Sequence, residues 1–193
     1  MIGAIKLGRT QQARYADASP MNTAPRFRRL SPSQAMAAAP ALAEILLDCV
    51  AGGASVSFMA DLSRADAEAF WREQAGADDG RAILVAEDAD GLCGVVQVIP
   101  AWPPNQPHRA DISKLLVHRR TRRRGVAEAL MAAAEDAARQ IGRIVLVLDT
   151  VTGGDAERLY ARLGWTRVGV IPDFALMPDG ALCATTVFTK ALA

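Results

Sequence analysis

The chain has 193 residues, a formal net charge of +1 and a 51% hydrophobic composition. That suits one domain with a substantial core and gives no overall field for nucleic acid or an anionic membrane surface. Three cysteines (Cys49, Cys93, Cys183) form no CxxC pair, and two histidines (His108, His118) are too few for a histidine-based metal centre, so no metal is expected and a reducing, cytoplasmic setting fits. No apolar run approaches the roughly 20 residues that span a bilayer, and residues 1–20 lack the features of a signal peptide. Residues 1–24 read as a disordered arm, with Met21 a candidate start, and residues 25–193 as a single domain.

Ser31-Pro32-Ser33-Gln34 has the pattern of a capping box with proline at the first helical position. The helix it opens runs to about Val50, and Pro40 inside it is expected to kink or split it. A small-residue loop, Gly52 to Met59, leads to a second capping pattern at Ser63–Asp66 and a helix ending near Gly76. The period then changes. Ala82–Glu87 and Leu92–Ile99 read as a hairpin turning at Asp88–Gly91. A proline-rich loop, 100–107, precedes a strand over Arg109–Val117. Gly125–Ile141 carries apolar residues near a 3.6 period and reads as a helix. Ile144–Leu148 reads as a buried central strand. Asp155–Leu163 is a short helix stopped by Gly164, and two last strands, about Thr166–Phe174 and Leu182–Lys190, turn at Pro178-Asp179-Gly180. The order predicts an α/β (α+β) fold, with a mixed sheet of about six to seven strands flanked by about four helices.

The basic charge is concentrated in one place. Arg119, Arg120, Arg122, Arg123 and Arg124 fill the loop between the Arg109–Val117 strand and the following helix, with Gly125 at the junction. The amides of a first helical turn lack intrahelical partners and sit at the positive end of the helix dipole. With flanking arginines they form a ready anion site, suited to phosphate or pyrophosphate. A solvated charged face or a nucleic-acid patch is the competing interpretation of such a run. Near-neutral net charge and the spacing to Gly125 favour the phosphate.

Arg122-x-x-Gly125-x-Ala127 resembles the acetyl-CoA pyrophosphate loop of the GNAT N-acetyltransferase superfamily. Ala156-x-x-x-Tyr160-x-x-x-Gly164-Trp165 resembles a second motif of that superfamily, on the expected element about 40 residues further on. Within the superfamily, Gly52–Leu62, Leu148-Asp149-Thr150 and Thr166–Gly169 are similar to the tabtoxin-resistance acetyltransferases. The resemblance covers roughly residues 26–192 and implies a mostly antiparallel twisted sheet. It implies direct transfer of acetyl from acetyl-CoA to the amine of a small molecule, amino-acid-like or of antibiotic or toxin type, by a monomer or homodimer. Protein acetylation, or acyl-CoA binding without catalysis, is the alternative.

The resemblance also implies roles. Arg122, Arg123, Arg124, Gly125, Val126 and Ala127 would hold the pyrophosphate. Leu115, Leu116 and Val117 would offer backbone groups to the pantetheine arm, and an amide near Leu116 would polarise the thioester carbonyl. Tyr160 would protonate the departing thiolate. Asp149 closes the Ile144–Leu148 strand and is one candidate base. Asp111, six residues before Val117, is the other. Gly153 stands where many members carry a pantetheine-binding asparagine, so that contact would pass to backbone. The acceptor is expected between the Gly52–Met59 loop, the Trp102 loop and the hairpin near Asp173–Met177, with Phe58, Trp102 and Phe174 as apolar walls.

Overall fold

The computed structural model describes residues 24–192. The expected disordered arm over 1–24 and the candidate start at Met21 therefore lie, Ala24 apart, outside the described residues. The elements in chain order are β1 (Arg26–Leu30), α1 (Pro32–Ala51), α2 (Arg64–Gly76), β2 (Ala82–Asp88), β3 (Gly91–Pro100), β4 (Arg109–Val117), α3 (Val126–Gln140), β5 (Val145–Val151), α4 (Asp155–Arg162), β6 (Thr166–Leu176) and β7 (Leu182–Ala191), with one turn of 3-10 helix at Arg119–Thr121. One seven-stranded sheet has the order β1-β2-β3-β4-β5-β7-β6. Its pairs are antiparallel except β4 with β5. This is the mixed α/β fold with four helices that the element order predicts.

Strand β1 was not legible as a strand, because Arg26, Arg28 and Arg29 make three of its five residues. It lies at the sheet edge, where charged side chains are compatible with pairing on one side and discourage pairing on the other. Arg28 reaches Glu87 of β2 at 3.1 Å. Strand β5 starts at Val145 and continues through Asp149 to Val151. Ile144, expected inside it, lies before it and is about half exposed.

Helix α1 begins with the expected reciprocal cap. The Gln34 amide donates to Ser31 Oγ at 3.2 Å, and the Ser31 amide donates to Gln34 Oε1 at 2.9 Å. The helix runs unsplit through Pro40. Pro40 is exposed, so its ring points away from the core, and the i−4 carbonyl it leaves unbonded belongs to Met36, itself solvent-accessible. By length and composition α1 is long and apolar enough to cross a membrane, contrary to the expectation from the sequence. Here its apolar face is core: Leu42, Ile45 and Leu46 are fully buried with Trp71 of α2 against one face of the sheet. Helices α3 and α4 cover the opposite face, where Leu130, Met131, Leu146 and Phe188 pack with Tyr160. Alternate residues of β2 and β3 feed the two cores, which explains why these strands read as continuous apolar runs.

Two irregularities position the site. Strands β4 and β5 pair only at Arg109–Val145, Ala110–Leu146 and Asp111–Val147, and then part. Strand β4 also bulges: Leu116 faces Val95 and Ser113 faces Gln97, so Lys114 and Leu115 share the place opposite Val96. Lys114 has φ +52°.

Gly94 of β3 lets α3 lie close behind this parting. A Cβ there would stand 2.9 Å from Leu130 Cδ1, 3.1 Å from Val126 Cγ1 and 3.3 Å from the Leu116 carbonyl. Gly94→Val should therefore destabilise the fold by about 1–3 kcal/mol through overpacking. Urea unfolding should show a lower midpoint at unchanged slope.

Candidate active site

The parting of β4 and β5 opens a cleft of about 1240 Å³. Its floor is the far half of β4. The His118 amide bonds the Cys93 carbonyl of β3 at 2.9 Å, and strand alternation then turns the Leu116 peptide groups toward β3 as well. The peptide groups of Leu115 and Val117 face the cleft. The Val117 carbonyl accepts from Arg122 Nε at 3.0 Å and, more weakly, from Cys49 Sγ at 3.7 Å. The edge left for an extended ligand is thus the Leu115 peptide groups and the Val117 amide, the Val117 carbonyl being taken by Arg122, and Leu116 contributes a buried side chain.

At one end the arginine loop enters α3. Arg123 and Gly125 have φ +60° and +78°, and successive turns of this kind point amides toward one spot. The first bond of α3 runs from the Ala129 amide to the Gly125 carbonyl at 3.0 Å. The amides of Val126 and Ala127 precede it and have no acceptor within the helix. A Cβ at Gly125 would meet no atom within 4 Å, so the space beside the loop is open. These features fit a pyrophosphate.

The five arginines divide the work. Arg119 bonds the Asp48 carboxylate through its side chain and, at 2.8 Å, through its amide. Arg120 bonds Asp88 at 2.5 Å and the carbonyls of Gly91 and Leu92. Both pin the loop to the rest of the fold, and Asp88 is held below the usual carboxylate range chiefly by the Arg120 hydrogen bond. Arg122 and Arg123 line the cleft. Arg124 lies outside it, on the side where its charge acts on Asp88 and Cys93.

The other expected residues separate in the same way. Tyr160 lines the cleft and is buried, against Trp165 and Phe188 at ring distances of 6.0 and 5.9 Å. Burial first, and the Asp149 charge second, push its phenol well above the ordinary range. Asp149 also lines the cleft, within β5 rather than at its end, and its Oδ2 accepts from the buried Thr185 hydroxyl at 3.0 Å. Asp111 does not reach the cleft and pairs with Arg109 at 2.5 Å. Gly153 does not line it either. Its amide is bonded to Glu157 and its carbonyl accepts from Arg158 at 2.9 Å, so the backbone contact expected of it is already taken. Phe58 and Phe174 line the cleft, whereas Trp102 is 90% exposed and stands apart from it.

Sequence reasoning missed Lys114. Its ammonium lies 3.2 Å from Ser57 Oγ and 5.9 and 5.7 Å from the rings of Phe58 and Phe70. Burial pushes its pKa down, partly offset by the Asp149 charge. A lysine at the inward alternation Ala110, Ile112, Lys114, directly before the apolar Leu115–Val117 run, was the one available signal. The bulge it sits on has no local signature.

A sheet opened beside a helix N-terminus with unbonded first-turn amides is an arrangement suited to a phosphorylated, extended ligand lying along a strand edge. Residues 41–165 match the acetyltransferase (GNAT) family. The chain belongs to that family, and it is an acyltransferase by that membership. Similar solved structures include a ribosomal-protein-alanine N-acetyltransferase from Brucella melitensis, at 22% identity and TM-score 0.72, covering 86% of this chain and 99% of that one. The yncA protein of Salmonella typhimurium, solved with its cofactor acetyl-CoA, is 21% identical at TM-score 0.71, with 89% and 95% covered. A structure provisionally named a phosphinothricin N-acetyltransferase is 19% identical at TM-score 0.73, with 88% and 99% covered. These likenesses establish the shared fold.

Two outcomes follow from this geometry. Gly125→Glu puts a like charge into the anion site and strains a left-handed backbone, so acetyl-CoA affinity in calorimetry should fall by roughly 100-fold or more. Lys114 binds its proton less tightly in the folded chain than unfolded. The unfolded chain therefore binds more protons in the window between the depressed pKa and about 10.4, and stability should rise with pH across that window. Lys114→Met should unfold at a higher temperature than wild type at neutral pH and should lose that alkaline rise.

Proposed function

We propose that the protein transfers acetyl from acetyl-CoA to the amine of a small molecule, in the cytoplasm. The observation that carries this reading is the free edge of β4, which runs from the anion-binding turn of α3 to the Asp149–Tyr160 pair. Arg122, Arg123 and the amides of Val126 and Ala127 would hold the pyrophosphate. The Leu115 peptide groups and the Val117 amide would align the pantetheine arm, and one of these amides would donate to the thioester carbonyl. Acetyl-CoA supplies an acetyl group activated as a thioester, with a thiolate as leaving group.

Asp149 is the base this arrangement favours, because it faces the cleft and Asp111 does not. As the amine nitrogen forms its bond to the acetyl carbon and the carbon–sulfur bond breaks, Asp149 takes the surplus proton from nitrogen and Tyr160 gives its phenolic proton to sulfur. The two steps assist each other. A neutralised Asp149 no longer holds the Tyr160 proton in place by its charge, so the phenol becomes a better acid when the base has acted. Proton return from Asp149 to the phenolate, directly or through water, resets the pair.

A small acceptor is favoured over a folded protein by the roof of the cleft. Ser55 Oγ donates to the Leu176 carbonyl at 2.8 Å, and the Ala60 amide donates to the Pro178 carbonyl at 3.1 Å. These bonds tie the loop after α1 to the β6–β7 hairpin on the side of the cleft that Phe58 and Phe174 line. The resemblance of the Gly52–Leu62 and Leu148–Thr150 segments to the tabtoxin-resistance acetyltransferases supports an amino-acid-like amine. The name of the Brucella neighbour points to a protein acceptor instead, so an N-terminal peptide belongs in the assay beside the small amines.

Thiol release with acetyl-CoA and an amine panel tests the reading. Turnover on small amines is expected, and tight acetyl-CoA binding without turnover on any acceptor would defeat it. Tyr160→Phe should lower kcat by about 100-fold or more at nearly unchanged acetyl-CoA affinity. Because the phenol is raised above its ordinary value of about 10, kcat should show no alkaline fall-off from Tyr160 below about pH 10. A fall-off near pH 9 that disappears in Tyr160→Phe would contradict this. Asp149→Asn should be nearly as damaging as Tyr160→Phe, and Asp111→Asn close to neutral.

A further inference from the structure

The feature of the cleft that acetyl transfer itself does not explain is Lys114. It is half-buried, and no carboxylate of the described residues lies within ion-pairing distance of its ammonium. What surrounds it is the Ser57 hydroxyl and two aromatic rings. Two residues in left-handed conformations meet here: Lys114 at φ +52° and Ser57 at φ +77°. Such backbone is unfavourable for side-chain-bearing residues, persists only where the surrounding structure holds it, and is concentrated at functional sites. A bulge, two strained residues and a desolvated cation all converge on one point of the cleft wall. A regular β4 strand bearing an apolar side chain at position 114 would remove the bulge and the desolvated cation.

We propose that Lys114 is the receptor for a carboxylate carried by the acceptor, so that the substrate class is an amine and a carboxylate in one small molecule, a free amino acid. This rests on the proposed acetyltransferase reading. The complementary charges are already arranged in the cleft. Asp149 lies near enough for its charge to act on the Lys114 ammonium, and both line the same cleft. The acceptor would bind as a zwitterion with its ammonium toward Asp149, its carboxylate toward Lys114 and its side chain against Phe58 and Phe174, and would lose one ammonium proton to water before the nitrogen attacks. The carboxylate would complete an ion pair that the protein leaves open, in surroundings where such a pair is strengthened by the low dielectric. Binding would then return the Lys114 pKa upward. Arg122 and Arg123 do not compete for this role, because they stand at the pyrophosphate end.

The test pairs each proteinogenic amino acid, and γ-aminobutyrate, with its own carboxamide, and compares wild type with Lys114→Gln and Lys114→Arg. Thiol release gives kcat/KM. Calorimetry on protein loaded with CoA gives acceptor affinity independently of turnover. Wild type should prefer the acids over their carboxamides by about 10–100-fold, the scale of one charge-assisted hydrogen bond. Lys114→Gln should abolish that preference mainly by raising KM for the acids, and Lys114→Arg should restore part of it. Acetyl-CoA affinity of both variants should match wild type, which reports an intact cofactor end. Equal losses on acids and carboxamides, or wild-type binding that ignores the carboxylate, would overturn the proposal and leave the acetyltransferase reading standing. Carboxylate-dependent, Lys114-dependent binding without any thiol release would support the proposal and count against acetyl transfer alone.

Discussion

The structure depends on a hydrogen-bonding ladder that stops. Strands β4 and β5 exchange three residue pairs and then part, leaving backbone donors and acceptors of β4 with no strand beside them. Unpaired backbone polar groups are expensive when dry, so a gap of this kind persists only where water or a ligand takes the missing bonds. The rest of the fold holds the gap open. Strand β5 is fully paired on its other side, along β7 from Val145 to Val151. Strand β4 is held by β3 and by the cores on its two faces. Neither can swing in to close the ladder without breaking a longer one.

Opening the sheet places three kinds of group around one space. The N-terminus of α3 brings unpaired amides and the loop arginines to one end. Strand β5 brings Asp149, oriented by Thr185, and α4 brings Tyr160 from the side. The β4 bulge brings Lys114. Charge is distributed along the cleft by the same geometry, with Arg122 and Arg123 at one end and, at the other, Asp149 and Lys114, which do not pair with each other. Arg119 and Arg120 serve the site without facing it, because their ion pairs to Asp48 and Asp88 fix where the anion-binding turn begins.

The core explains why these positions are precise. Packing on both sheet faces leaves little freedom in β3 and β4, and Gly94 allows α3 to press against the strand whose edge forms the cleft floor. The aromatic contacts of Tyr160 with Trp165 and Phe188 fix the phenol from behind. Stability is conceded at Lys114 and Ser57, where a desolvated charge and left-handed backbone are retained beside the cleft, in keeping with the usual conflict between stability and activity.

The sequence by itself determined the elements and the place of the arginine loop at the start of α3. Periodicity, caps and glycine stops are local, so the helices and six strands could be read within a few residues. The arginine-to-Gly125 spacing is local too, because a helix N-terminus is made of consecutive amides. Strand β1 escaped because edge pairing tolerates charge and leaves no apolar pattern. What only the tertiary structure decided was which side chains share a space. Asp149 and Asp111 are both strand aspartates, and strand alternation and pairing alone turn one into the cleft and tie the other to Arg109. Trp102 and Phe174 are both aromatic loop-or-edge residues, and only long-range packing separates them. Lys114 depends on a register shift between β3 and β4, and register is a relation between two segments that neither segment encodes alone.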